Sequence, residues 1–203
     1  MKSLLLNILS ERFGLALVKT GVRGQRKFLL YEEDAVFQSR YEEGLRRSGT
    51  PDGGTKRYER FYNLIQWLNY TKGLPGAVVE CGAWRGLSSF LMCHYLKDEM
   101  PGFDGRDFHI FDSFEGLSEP ESIDVDPRTM RADWPAQPKQ GAYSAQIDVV
   151  RNTLGEFPAV SLNKGWIPQV FEGQPARPYR FVHVDVDLHH PIATSLEYFL
   201  PQL

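Results

Sequence analysis

From Thr55 onward the apolar residues follow two alternating rhythms. Tyr58, Phe61, Tyr62, Leu64, Ile65 and Leu68 recur at three- and four-residue steps, the stripe of a helix that buries one face, and KGLPG at 72–76 ends it. Short β-branched and aromatic runs then alternate with helical stretches. AVVECG (77–82), DFHIFDSF (107–114), AVSLNKGW (159–166) and RFVHVDVD (180–187) read as strands. LSSFLMCHYLK (87–97), YSAQIDVVRNTLGEF (143–157) and PIATSLEYFL (191–200) read as helices, the last opened by Pro191 at its first position. Strands that alternate with helices imply βαβ units, hence a mostly parallel sheet in a three-layer α/β/α arrangement.

The first 57 residues follow neither rhythm for long. Leu4, Leu5, Ile8, Leu9 and Arg12 fall at helical spacing, predicting a short amphipathic helix packed on its own domain or on a second subunit. Its apolar run is broken by Glu11 and Arg12 and no small-residue cleavage pattern follows, so a secretory leader is disfavoured and a cytoplasmic location is expected. Nothing approaches the ~20 apolar residues of a membrane span. Residues 22–57, broken by SGTPDGGT at 48–55, read as a polar loop or lid region. The division expected is therefore an N-terminal helix and lid-like region over 1–57 and a ligand-binding domain over 58–203.

Composition sharpens this picture mainly by exclusion. A chain of 203 residues, 42% hydrophobic, can bury one sizeable core. Its net charge of −3, with no long Lys/Arg run, offers no field for gripping nucleic acid. Cys81 and Cys93 are the only cysteines and form no CxxC pair, which argues against a disulfide framework or a structural zinc. Lacking a partner base, both read as small buried hydrophobes.

Ligands of such sheets sit beyond the carboxyl ends of the strands. Glu80-x-Gly82-x-x-x-Gly86 is not the GxGxxG that approaches a dinucleotide pyrophosphate, and a glutamate there would repel one. An acid at that place suits a ligand carrying a cation and hydroxyls, such as S-adenosylmethionine with its ammonium, sulfonium and ribose. Asp112, ending the second run, is placed to accept hydrogen bonds from ribose. Asp185 and Asp187, alternate residues at the fourth strand's end, suit a hard divalent cation such as magnesium; the plainer alternative is that one of them caps the next helix. His189 and His190 are candidate bases, since histidine titrates near neutrality. His109 and His183, inside strands, read as hydrogen-bonded core groups. Trp166 either stacks on adenine or packs.

Five blocks in order, ECGAWRGLSS (80–89), FDSFEGL (111–117), GAYSAQIDVVRNTL (141–154), KGW (164–166) and VDVDLHHPIATSLEYFLPQL (184–203), resemble the macrocin O-methyltransferase family, which methylates sugar hydroxyls of macrolides. The resemblance implies a Rossmann-like class I methyltransferase sheet, S-adenosylmethionine as cofactor and a divalent metal, usually Mg2+. It implies that Glu80, Gly82, Ala83, Trp84, Arg85 and Gly86 shape the methionine side of the cofactor site. Asp112, Ser113 and Phe114 would hold the ribose and adenine side, Ser88 would cap the following helix, and Asp185 would serve both cofactor and metal. Asp187 would complete the metal pair and act in catalysis, while His189 and His190, candidate bases by residue type, depart from the Tyr-Glu expected of the family at those positions. The implied acceptor is a small-molecule hydroxyl, such as that of a glycoside. Tyr31, Tyr41 and the charged 31–47 segment read either as an acceptor lid or as a solvated helix face.

A class I sheet has seven strands, and this chain stops after the helix that follows the fourth. The expectation is thus the N-terminal two-thirds of a methyltransferase, with the fourth strand left as an edge open to self-association. A non-catalytic cofactor-binding subunit or inactive fragment is the alternative from another class. A nicotinamide-dependent oxidoreductase ranks below both for want of GxGxxG.

Overall fold

The computed structural model describes residues 30–52, 55–125 and 139–203. The expected amphipathic helix at residues 4–12 lies outside them. Four strands form one parallel sheet: β1 (Ala77–Cys81), β2 (Phe108–Asp112), β3 (Ser161–Lys164) and β4 (Tyr179–Val184), in the order β3-β2-β1-β4. Each matches a run read from the sequence. β1 pairs with β2 from Val78↔Phe108 to Cys81↔Phe111 and with β4 from Ala77↔Tyr179 to Cys81↔Val184. The sheet grows from β1 through β2 to β3 on one side, then returns to add β4 on the other. That reversal between β1 and β4 is the switch point at which open α/β sheets leave a crevice.

Period-two alternation assigns the two faces. Val78, Phe108 and Ile110 pack with the helices α2 (Ala35–Ser48), α3 (Thr55–Tyr70), α4 (Leu87–Glu99) and α5 (Ile147–Thr153), joined by the single turn α1 (Leu30–Glu33). Ala77, Val79, Cys81, Phe111 and Tyr179 pack on the opposite face with Phe171 and with Phe199 of α6 (His189–Phe199). This is the three-layer α/β/α architecture. Phe111, Phe171, Tyr179 and Phe199 meet edge to face or tilted at centroid distances of 5.1–5.9 Å, a favourable aromatic arrangement.

Three local expectations are corrected. Residues 35–48, read as part of a loop or lid region, form a helix with buried Phe37, Tyr41, Gly44 and Ser48 along one side. Asp34 Oδ1 accepts the Phe37 N–H at 2.8 Å, and the Gly49 N–H closes the other end on the Leu45 carbonyl. The many charges between those four positions hide the stripe, because they occupy the wide solvated face. Ser88 does not cap α4: Gly86 stands at the N-cap with φ 86°, and Ser88 is already inside the helix. Finally, α6 begins at His189, so Pro191 occupies the first turn rather than the first position. Its N-terminus is served by Asp124, whose Oδ1 accepts the His189 N–H at 2.7 Å, and neither Asp185 nor Asp187 caps it.

Among the described residues no helix is long and apolar enough to cross a membrane, and β4 pairs with β1 alone.

Candidate functional site

A cavity of about 250 Å³ opens at the carboxyl ends of β1, β2 and β4. Its floor is two turns stitched together by one carboxylate. Asp112 Oδ2 accepts the N–H groups of Ala83 (2.7 Å) and Trp84 (3.2 Å), while Oδ1 accepts that of Phe114 (2.6 Å). Burial pushes the Asp112 carboxyl up from its ordinary value, and these three hydrogen bonds pull against that shift. A carboxylate offers about four acceptor positions, so roughly one remains for a ligand hydroxyl.

Gly82 is required here by space as well as by its φ of 84°. A Cβ at this residue would stand 2.2 Å from the carbonyl oxygen of Asp185. The turn after β1 can therefore lie directly against the end of β4. Three other residues at the strand ends, Trp84 (φ 48°), Phe114 (56°) and Asp187 (62°), hold left-handed backbone without being glycine. Such strain gathers at ligand sites, where the surrounding structure enforces it.

Gly82, Ala83, Trp84, Arg85, Ser88, Asp112, Ser113, Asp185 and Asp187 all line the cavity. Several of them are also spent on architecture. The Arg85 guanidinium donates to the Ser48 carbonyl at 2.5 Å, at the carboxyl end of α2 where the helix dipole favours a cation. The Ser113 hydroxyl donates to the Gly116 carbonyl and accepts the Glu115 N–H.

Other predicted residues are placed elsewhere. Phe114 turns into the core, and Gly86 packs against Val150 and Thr153. His189 and His190 are exposed on the first turn of α6, and neither lines the cavity, because the helix starts with them and turns them outward. Glu80 is fully buried and lies behind the cavity rather than on its wall. Strand alternation explains this: Glu80 shares the Val78 face, so it points at α4, where its carboxylate accepts from the Ser89 hydroxyl. It also meets Nδ1 of His183, its register partner on β4, at 3.1 Å. Burial pulls the His183 imidazole down, but the bond and charge of Glu80 outweigh it and the value is raised. His183 is thus a hydrogen-bonded sheet group as read from the sequence, and so is His109, which meets Arg177 at 2.7 Å. Cys81 and Cys93 are free and buried; burial pushes the Cys81 thiol up to about 12.

The polar face of α3 supplies a wall that sequence reasoning missed. Arg57 and Arg60, three residues apart, both reach the cavity. Arg57 lies over the Trp84 ring at 5.8 Å, and Trp84 meets Tyr143 edge to face at 5.5 Å. Arg60 forms an ion pair with Asp185. Burial and then the neighbouring charge of Asp185 raise the Asp187 carboxyl, while Arg60 opposes them. Trp166 also lines the cavity and is exposed.

The sheet order and this crevice define a Rossmann-like α/β ligand-binding fold. A sequence model described as Macrocin-O-methyltransferase (TylF) matches residues 32–203, and the chain belongs to that family. A curated protein from Streptomyces olivaceus, 8-demethyl-8-(2,3-dimethoxy-alpha-L-rhamnosyl)-tetracenomycin-C 4'-O-methyltransferase, is 26% identical over 154 residues, or 74% of this chain. The chain spans 57% of that relative's length. Among solved structures, that of CalS11, a calicheamicin methyltransferase, superposes with a TM-score of 0.55 at 16% identity, covering 91% of this chain and 80% of the other. At that identity the likeness speaks to fold alone.

Proposed function

We propose that this chain carries the cofactor site of an S-adenosylmethionine-dependent O-methyltransferase acting on a hydroxyl of a sugar or other small molecule, assisted by a divalent cation. The observation that carries the reading is the placement of Asp112, Asp185 and Asp187 around one cavity at the switch point, together with family membership. The curated relative is named as a 4'-O-methyltransferase of a rhamnosyl-bearing tetracenomycin, which supports a glycoside as acceptor.

When bound, S-adenosylmethionine supplies a methyl group on a sulfonium, which passes to the acceptor oxygen as the C–S bond breaks. The chain's own work is placement. The turns at 82–86 and 112–116 present backbone and one free carboxylate position of Asp112 to the cofactor's polar groups. Trp84, Tyr143 and Trp166 give flat apolar surface to its base or to the acceptor. Asp187 faces the cavity from a left-handed turn and accepts the acceptor hydroxyl's hydrogen bond, orienting a lone pair toward the methyl and taking the proton as the new O–C bond forms. Asp187 replaces the histidines expected for that task.

Asp185 and Asp187 also suit a divalent cation by donor chemistry. They are hard oxygens on one cavity wall, and Asp185 already holds a cationic guanidinium. Among the described residues no group of three or more acidic, histidine or cysteine side chains converges, so the protein would supply two carboxylates, and waters or acceptor oxygens the rest. A cation there would stabilise the acceptor oxygen's developing negative charge.

Asp187→Asn tests the assignment, because asparagine keeps the shape and tolerates the left-handed backbone. It is expected to lower magnesium-dependent methyl transfer at least ~100-fold, the usual scale for a positioned acid or base, with S-adenosylhomocysteine affinity unchanged. Normal turnover in that variant would remove Asp187 from the mechanism.

A further inference from the structure

Arg60 is more than half exposed, yet it crosses from α3 to β4, 125 residues away in sequence, to pair with Asp185 Oδ2. Asp185 stands two residues from Asp187 at the same wall, so the pair carries two like charges against one guanidinium. The same carboxylate oxygen that Arg60 occupies is a donor a divalent cation would need. A guanidinium binds in a flat fork and cannot hold oxygens in an octahedral shell, so both cations cannot use that oxygen well at once. An exposed ion pair of this kind is weak enough to be displaced.

We propose that Arg60 is an exchangeable counter-ion of the Asp185/Asp187 pair: a divalent cation enters by displacing its guanidinium from Asp185. Arg60 then keeps the two carboxylates compatible when no metal is bound, and metal uptake becomes an exchange of cations rather than a simple addition. By reciprocity, any change that strengthens the Arg60–Asp185 pair weakens metal binding by the same factor. The proposal rests on the reading of the two aspartates as a cation site, and its test must separate the two.

The probe is Mn2+, whose free and bound forms are counted by electron paramagnetic resonance without turnover. Arg60→Gln removes the competing charge at an exposed position and is expected to tighten Mn2+ binding about fivefold relative to the unaltered chain. Arg60→Lys keeps a cation on the same helix and is expected to stay within about twofold. Asp185→Asn should abolish binding in either background. Unchanged or weaker Mn2+ binding in Arg60→Gln, or equal tightening in Arg60→Lys, would overturn the exchange. S-adenosylhomocysteine calorimetry on the same samples separates the remaining cases. Cofactor binding with no Mn2+ binding in any protein would overturn the exchange and the cation site while leaving the cofactor site. Absence of both, in folded protein, would remove the functional reading as well.

Discussion

The two halves of the cavity are built by different physics. At the ends of β1 and β2 the chain is held backbone to backbone: Gly82 lies against Asp185, Asp112 gathers three N–H groups, and Gly116 passes close to the carbonyls of Gly141 and Ala142. At the end of β4 side-chain charge is added to the backbone contacts, with two aspartates and one guanidinium from α3, and among the described residues the strand has β1 as its one neighbour. The first half is a frame of backbone contacts, and the second is the arrangement of side-chain charges that the proposed cation exchange would alter. Pre-organised backbone suits the part of a ligand that is always the same, and adjustable charge suits the place where bonds change.

Substitutions should separate the halves by their effect on stability. Gly82→Ala is expected to cost the most, about 3 kcal/mol, because it adds both left-handed strain and an overlap with backbone that cannot move aside. Urea unfolding would show it, and a shift under 1 kcal/mol would mean the two turns are not in contact. Asp112→Asn should follow at about 2 kcal/mol, since an amide has one acceptor oxygen and its NH2 would face N–H donors. Asp187→Asn belongs to the other half and should change stability by no more than about 0.5 kcal/mol, in contrast to the loss of transfer expected of it. A large loss there would make the β4 end part of the frame.

The smallest effect lies away from both halves, at Glu156. Its carboxyl is held below the ordinary value first by the Lys97 hydrogen bond at 3.1 Å, with His94 and Arg47 adding charge. A lowered carboxyl contributes stability that is full above its unfolded value and lost as pH falls through the folded one. Glu156→Gln should therefore lower stability slightly at neutrality, the screened worth of an exposed ion-pair cluster, with the difference from the unaltered chain fading as pH falls from about 5 to about 3. An unaltered acid limb would show that the ion pairs around Glu156 are solvent-screened to nothing.

The frame was the more legible half in the sequence, and for a physical reason. Backbone contacts demand particular residues locally, so Gly82 and Asp112 announce themselves by type and by position at a strand end. Glu80 shows the limit of that logic. Its position in the motif suggested a ligand wall, but strand alternation turns it toward α4, and only the sheet register reveals His183 as its partner. The β4 end was legible in its aspartates and not in their counter-ion, because nothing local to Asp185 points to a residue on α3. Arg57 and Arg60 do share one face of a helix, a signal that a search for basic pairs opposite an apolar stripe could have found. Histidines beside the aspartates misled for a related reason: helix α6 begins with them and carries their side chains outward.

The most direct measurement is calorimetric titration of the folded chain with S-adenosylhomocysteine, alongside the Asp112→Asn variant. A saturable single site in the unaltered chain, weakened at least ~10-fold in the variant, is the predicted result, since a lost charge-assisted contact is worth more than 1.4 kcal/mol. No saturable heat from a chain shown to be folded would contradict the assignment of this cavity to an S-adenosylmethionine cofactor.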